Sequence, residues 1–345
     1  MSRLSSWSLT LLLLTLLTEF PLTARAQQAD TLFLTDGERV VGDVHRLALG
    51  DLRLDTPAFG AVHVAWERVT HIDSPKRWDV RTSDGAHYQG WFRPSPLGDE
   101  RIRIDSGRDT VDIGTETIVQ FTQLADGLWS RADGSISLGL DQQNTNKLTQ
   151  VLIGAGLGYV VGRDRYSLTE YSAVTAQPGA ADLNVHNASL YWTHDLKARW
   201  SSVVTGGIES NSALDLSWRL KAGYLVGNRI VQQVRLSEIL LAGLQLNWER
   251  ARDGEGQEES EFAVVSQFGS SIPHTGVDVV ADLFGYLGLS HPGRNRLAGD
   301  ITANARIVGS WKIGLTFHDQ YDRRPRPGAG ASNAYQLGTT LAYTF

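Results

Sequence analysis

Cysteine is absent from all 345 residues, so neither a disulfide nor a thiolate metal site holds this fold together. Proline is scarce, with 10 residues, and methionine occurs once. Outside the first 26 residues there is no long apolar run, and a membrane-spanning helix needs about 20 consecutive apolar residues. Basic residues are not in excess. The net charge of -6 argues against nucleic acid as a partner. What the chain does have is glycine, 35 residues, above the usual level of about 7%, and a pervasive alternation of apolar with small or polar residues.

The first 26 residues read as a secretory signal peptide. Arg3 supplies the positive start, residues 9–17 are apolar except for Thr10 and Thr15, and Ala24-Arg25-Ala26 has the small-x-small cleavage pattern. The mature chain is expected to begin near Gln27. No cysteine follows, so no lipid-anchored N-terminus is expected.

The C-terminus carries the plainest signal. From Tyr335 to Phe345 every odd position but Thr339 is apolar or aromatic and every even position is small or polar. A period of two with one apolar face describes a strand between lipid and a polar lumen. A soluble domain rarely ends on an uncovered apolar strand, because a free edge pairs with other chains. A closing strand that ends on an aromatic resembles that of bacterial outer-membrane β-barrels, in which it serves as an assembly signal.

Residues 127–345 divide into twelve such strands: 134–141, 148–160, 165–175, 184–194, 199–209, 215–226, 232–249, 259–270, 277–289, 296–307, 310–321 and 334–345. An even count suits a barrel with both chain ends on one side of the membrane. The expected connections alternate between short turns (161–164, 197–198, 227–229 and around Gly309) and longer polar loops (142–147, 177–183, 251–258 and 322–333). Pro292 and Gly293 mark a further loop on the longer side. Trp192, Trp200, Trp311, Tyr159, Tyr166, Tyr224 and Phe345 then fall near the turn rim. Trp218, Trp248, Phe262 and Tyr335 fall near the loop rim, giving the two aromatic girdles that bilayer interfaces select. Glu170 is the awkward residue, since it shares the lipid face with Leu168 and suggests a bulge.

Residues 27–126 are charged, turn-rich and internally duplicated. Leu34-Thr35-Asp36-Gly37, Gly42, Arg53-Leu54-Asp55-Thr56 and 62–72 recur as Thr82-Ser83-Asp84-Gly85, Gly90, Arg103-Ile104-Asp105-Ser106 and 111–121, at an offset of 48 to 50 residues. The Asp-Gly pairs are hairpin turn signals. Each copy is expected to form about five short strands with one helical turn before the last, a pattern resembling an SH3-like or Sm-like small barrel. The expected fold class is therefore all-β, a small periplasmic tandem β-domain followed by a C-terminal antiparallel transmembrane barrel.

A module of the form Leu34-Thr35-Asp36-Gly37…Gly42…Arg53-Leu54-Asp55-Thr56…Trp66-Glu67-Arg68-Val69, ahead of a glycine-rich barrel ending in Phe345, resembles the YdiY-like family, often labelled "salt-induced outer membrane protein". The resemblance implies location and architecture, with expression under osmotic or envelope stress. It brings no catalytic motif.

No catalytic, cofactor-binding or metal-binding residue is expected. Arg219, Lys221, Asp278, Asp282, Asp300, Arg306, Lys312, His318 and Gln320 are expected to face inward as a salt-bridged lumen, or as a charge-selective channel. Strand pairing through the turn at Gly309 and the loop at Gly293 predicts Asp282 between Arg306 and Lys312, and Asp300 on His318. A lipid-modifying enzyme would need a nucleophile and base within hydrogen-bond reach, but His186 and Ser189 are three apart on one strand and point opposite ways, as do His318 and Asp319. The acidic segment 253–259 lacks calcium-loop spacing. Arg323, Arg324 and Arg326 could meet acidic lipopolysaccharide. The expected partners are outer-membrane lipid, the barrel-assembly machinery through the C-terminal strand, and peptidoglycan or a periplasmic protein. A non-enzymatic anchor for the module is the leading expectation, and a narrow pore for small polar solutes the alternative.

Overall fold

A computed structural model describes residues 29–98, 100–124, 132–143, 148–176, 179, 182–325 and 332–345. The signal peptide lies outside the described residues, as does the join between the two β regions. No described helix is long and apolar enough to cross a membrane, which has no bearing on strands.

The first region holds ten strands in two equivalent sets of five. β1 (Asp30–Leu34), β2 (Arg39–Ala48), β3 (Asp51–Thr56), β4 (Gly60–Ala65) and β5 (Val69–Asp73) form the first set. β6 (Arg77–Thr82), β7 (His87–Pro94), β8 (Arg101–Asp105), β9 (Thr110–Gly114) and β10 (Ile118–Gln123) form the second. A single 3-10 turn precedes the last strand of each, Trp66–Arg68 and Thr115–Thr117. The duplication extends to atoms. Gly37 and Gly85 both sit at positive φ, 83° and 86°, where glycine carries no steric cost. Asp36 and Asp84 each accept the amide two residues on, at 3.1 Å.

The two sets are not separate units. β10 pairs with both β6 and β2, and one apolar core runs through both. Phe121 lies edge-on to Trp66, Trp78 and Phe92 at 5.2–5.5 Å between ring centroids. The Trp66 indole of the first set donates to the Thr115 carbonyl of the second at 2.8 Å.

The second region is a closed antiparallel barrel of twelve strands: β11 (Ala132–Gln143), β12 (Leu148–Val161), β13 (Asp164–Ala176), β14 (Leu183–Asp195), β15 (Trp200–Asn211), β16 (Leu216–Gln232), β17 (Leu236–Ala251), β18 (Gly256–Ile272), β19 (Val277–Gly288), β20 (Asn295–Val308), β21 (Trp311–Asp322) and β22 (Asn333–Thr344). All twelve overlap the expected segments. Two boundaries move by four residues or more, the end of β16 and the start of β17. Gly227-Asn228-Arg229 is not a turn, because β16 runs on to Gln232 and turns at 233–235. Gly227 instead serves close approach, since a Cβ there would lie 1.9 Å from the Leu240 carbonyl oxygen. No bulge forms at Glu170. β13 stays in register with β12 and β14, so the carboxylate does lie on the outward face.

Outward positions are mostly apolar. Along β22, Tyr335, Leu337, Leu341 and Tyr343 are exposed while Gly338, Thr340 and Ala342 are buried. Leu140, Leu190, Leu244 and Leu297 continue the exposed band around the barrel. A soluble protein rarely shows so broad an apolar patch; a lipid-embedded barrel requires it. Tyr166 stacks on Trp192, and Trp311 meets Tyr343 edge-on at 5.1 Å, near the turn rim. The seam that closes the barrel is the shortest. β11 and β22 are in register only from Ser135 to Leu138, whereas β21 and β22 remain so from Trp311 to Tyr321. Phe345 adds a reciprocal backbone pair with Gly134, at 3.0 and 3.2 Å.

Candidate functional site

Alternation that points leucine at lipid points charge at the bore. At the loop end of the lumen, Arg219 (β16) bonds Glu249 (β17) at 2.6 Å and also pairs with Glu209 (β15). Lys221 reaches Glu209 at 2.7 Å. Arg294 pairs with Glu259 at 2.5 Å, Asp322 at 2.7 Å and Glu249 at 3.1 Å. Arg296 grips Glu261 through two nitrogens at 2.5 and 2.7 Å, and its guanidinium lies over the Tyr286 ring. Apart from Lys221, which is half-buried, these groups are almost wholly buried.

The network crosses the bore instead of lining it. Arg296 on β20 comes within 3.9 Å of Glu209 on β15, Asn211 on β15 donates to Gln320 on β21 at 2.7 Å, and Tyr171 on β13 donates to Gln336 on β22 at 2.8 Å. Buried charge is tolerable only when paired and hydrogen-bonded, and here nearly every member is. Of this lattice the sequence reading had Arg219, Lys221, His318 and Gln320, and it missed Glu209, Glu249, Glu259, Glu261, Arg294, Arg296 and Asp322. The signal was present. Gln245-x-Asn247-x-Glu249 and Glu259-x-Glu261 repeat with the strand period, opposite leucine, tryptophan and phenylalanine.

Toward the turn end, Asp300 holds His318 at 2.5 Å, as expected. Asp282 does not bridge Arg306 and Lys312. β19 and β20 pair with Asp278 opposite Asn304 and Asp282 opposite Asp300, four residues from the expected register, because the loop is centred on His291, two residues before Gly293. Asp278 therefore takes Lys312 at 2.6 Å and Asn304 at 3.0 Å. Arg306 leaves the bore altogether and pairs with Asp51 of the module at 2.6 Å.

That last pair belongs to a seam between the module and the turn rim. Arg235 grips Glu67 at 2.5 and 2.7 Å, Arg81 pairs with Asp195 and Arg46 with Asp133, and Arg199 donates to the Ser83 carbonyl at 2.8 Å. The β2–β3 hairpin tip touches the barrel directly. Ser271 donates to the Leu49 carbonyl at 2.5 Å, and a Cβ on Gly50 would lie 2.8 Å from the Arg235 side chain. Val234, in the β16–β17 turn, packs against the module core. Burial alone would raise the Asp51 carboxyl, but the His63 hydrogen bond and the charges of His63, Arg306 and Lys312 hold it below the usual aspartate range. Glu67 is likewise lowered, Arg235 outweighing burial. Arg81 is pushed down to about 9 by burial and by the neighbouring Arg165 and Arg229.

His186 and Ser189 are not brought together. The imidazole instead meets Ser172 on the adjacent strand, Nδ1 to Oγ at 2.8 Å, and Ser172 also bonds Glu170. All three lie on the lipid face. This is not the order of a hydrolytic triad, because serine, not histidine, is the middle member and no carboxylate orients the ring. In the acidic segment Asp253 accepts its own loop's amide from Glu255, and among the described residues no histidine, aspartate and glutamate cluster is disposed to hold a metal. Arg324 donates to the Pro292 carbonyl at 3.2 Å, bridging two loops. Arg326 lies outside the described residues.

The geometry defines a class: a closed twelve-stranded antiparallel barrel with an apolar exterior and a charge-filled bore, carrying a β-module at its turn rim. The chain belongs to the family described as "Protein of unknown function, DUF481", whose model matches residues 136–345, the barrel without the module. No curated protein matches the sequence. Among solved structures, the barrel is similar to the translocator domain of the autotransporter NalP from Neisseria meningitidis, at 13% identity, 62% of this chain, 87% of that chain and a TM-score of 0.35. It is also similar to the beta domain of the Bordetella autotransporter BrkA, at 13% identity, 62% and 98% coverage and a TM-score of 0.29.

Proposed function

We propose that the protein is a non-enzymatic outer-membrane barrel whose role is to hold its β-module against the periplasmic mouth, where the module meets peptidoglycan or a periplasmic protein. The observation that carries this reading is the ion lattice across the bore. A conduit for solutes keeps its cross-section open, whereas Arg296 on β20 reaches Glu209 on β15 and Asn211 on β15 holds Gln320 on β21, so that opposite walls are tied together. The apolar exterior supports the outer-membrane address, and the module's contacts with the turn rim support its place on the periplasmic side, since short turns face that compartment. The YdiY-like resemblance adds envelope or osmotic stress as the setting. Assembly would proceed through β22 and Phe345.

Single-channel recording in planar bilayers tests this. The anchor reading expects no steady conductance from the intact protein or from one lacking residues 27–126. Steady conductance from the intact protein overturns it in favour of a narrow polar pore. Conductance that appears only without the module overturns it too, and makes the module a stopper.

A further inference from the structure

Between the module and the turn rim lies a chamber of about 410 Å³, within the size range of small-molecule sites, about 300–1,000 Å³. Its walls come from both regions, β2 to β4 on one side and the ends of β18 to β22 on the other. Five cations line it, Arg46, Arg53, Arg235, Arg306 and Lys312, against two carboxylates, Asp51 and Asp278. Bridges to Asp133, Glu67, Asp51 and Asp278 neutralise four of the five. Arg53 makes no ion pair among the described residues. Its charge reaches Asp55, but that carboxylate is already engaged by His45 at 2.8 Å.

Three polar atoms on these walls are buried without a hydrogen-bond partner: Arg53 Nε, Arg306 Nε and His63 Nε2. The His63 side chain is only 10% exposed, and its other ring nitrogen is taken by Asp51 at 2.7 Å. A buried polar group left unpaired is destabilising, and buried groups in native proteins are seldom left so. Two of them, Arg53 Nε and Arg306 Nε, are obligatory donors, and with the surplus positive charge of this small chamber they describe a site short of its anion.

We propose that this chamber binds a phosphate-type oxyanion. A single carboxylate would occupy little of the volume, whereas a phosphate presents several oxygens to guanidinium forks approaching from different sides. The chamber also abuts Ile272, which is exposed on the outward face at the rim. The phosphate therefore has two possible sources, a free anion and the headgroup of a phospholipid seated at the rim. The site is independent of whether the barrel conducts.

The test uses the full chain in detergent and calorimetric titration with two probes, inorganic phosphate and a short-chain phosphatidylglycerol below its micelle concentration. Saturable binding of either is expected. Binding of phosphate assigns a free anion, and binding of phosphatidylglycerol alone assigns a lipid headgroup. Arg53→Gln removes the one unbridged cation without breaking an ion pair. It should weaken binding at least tenfold, with heat-modifiability on gels unchanged, and Arg53→Lys should recover part of the loss. Lys197→Gln, on an exposed turn of the same rim outside the chamber, should bind as the parent does. No saturable binding of either probe, or equal binding by the parent and Arg53→Gln, overturns the proposal.

Discussion

The module and the barrel are built from the same alternation with its sign reversed. In the module the inward set is Trp66, Trp78, Phe92 and Phe121, and the outward set is charged. In the barrel most leucines face out while Glu249, Glu261, Arg294 and Arg296 are among the most buried side chains. Strand geometry alone does not decide which face is the core; the solvent does. Water drives the module's apolar face inward, and lipid gives no such drive, leaving the barrel interior to be held by paired charge beside one small apolar cluster around Val203, Leu225, Leu241 and Val265.

The largest expected effect attacks that difference. Glu261→Ala would leave Arg296 buried without its bidentate partner, and losing one member of a buried pair costs about 3–5 kcal/mol. The barrel's urea midpoint should fall accordingly, and Arg296→Met in the same chain should recover much of it. A midpoint unmoved by Glu261→Ala would mean that water, not protein, solvates the lattice.

Deleting Phe345 should lower the yield of heat-modifiable protein in outer-membrane fractions several-fold, since it strips the reciprocal pair with Gly134 from an already short seam. Unchanged yield and gel shift would count against it.

An intermediate effect is expected in the module. Expressed alone, residues 27–126 should unfold cooperatively, because their apolar core is shared by both copies. Gly90→Ala would place a Cβ 2.3 Å from the Asp105 carbonyl oxygen, and Gly42→Ala one 2.6 Å from that of Asp55. Each should cost about 1–3 kcal/mol in the module's thermal melt. A featureless melt of the parent module would show that it depends on the barrel.

The smallest effect concerns the seam and pH. Asp51 and Glu67 have carboxyls lowered in the folded protein. Their contribution is therefore full above the unfolded carboxylate values, about 4, and is lost as pH falls further through the folded values. Proteolytic nicking between module and barrel should rise below pH 4 while the gel shift of the barrel persists. A seam equally protected at pH 3 and pH 7 would sink this.

Much of this architecture is legible in the sequence, for a stated reason. Twelve strands could be marked because lipid and lumen impose opposite polarity on alternate residues, as Leu337, Leu341 and Tyr343 opposite Gly338, Thr340 and Ala342 illustrate. The five-strand copies could be marked because Asp36-Gly37 and Asp84-Gly85 punctuate them. What was not legible is register between strands. Gly227 looked like a turn and serves close packing, and a four-residue shift at the β19–β20 loop moved Lys312 from Asp282 to Asp278. Pairings across the bore, such as Arg296 with Glu209, and across the seam, such as Arg306 with Asp51, depend on closure and docking, which no local pattern encodes. The Ser172–His186 contact was missed for the same reason, since its partners are cross-strand neighbours 14 residues apart.

Asp133 and Gly134 sit side by side at the start of β11. Asp133 fastens Arg46 of the module, and Gly134 receives Phe345, the last residue of the chain. The knot that completes the cylinder and the latch that moors the module are thus adjacent on two consecutive residues. A barrel whose first and last strands have not yet met would hold Asp133 out of place and leave the module one mooring short.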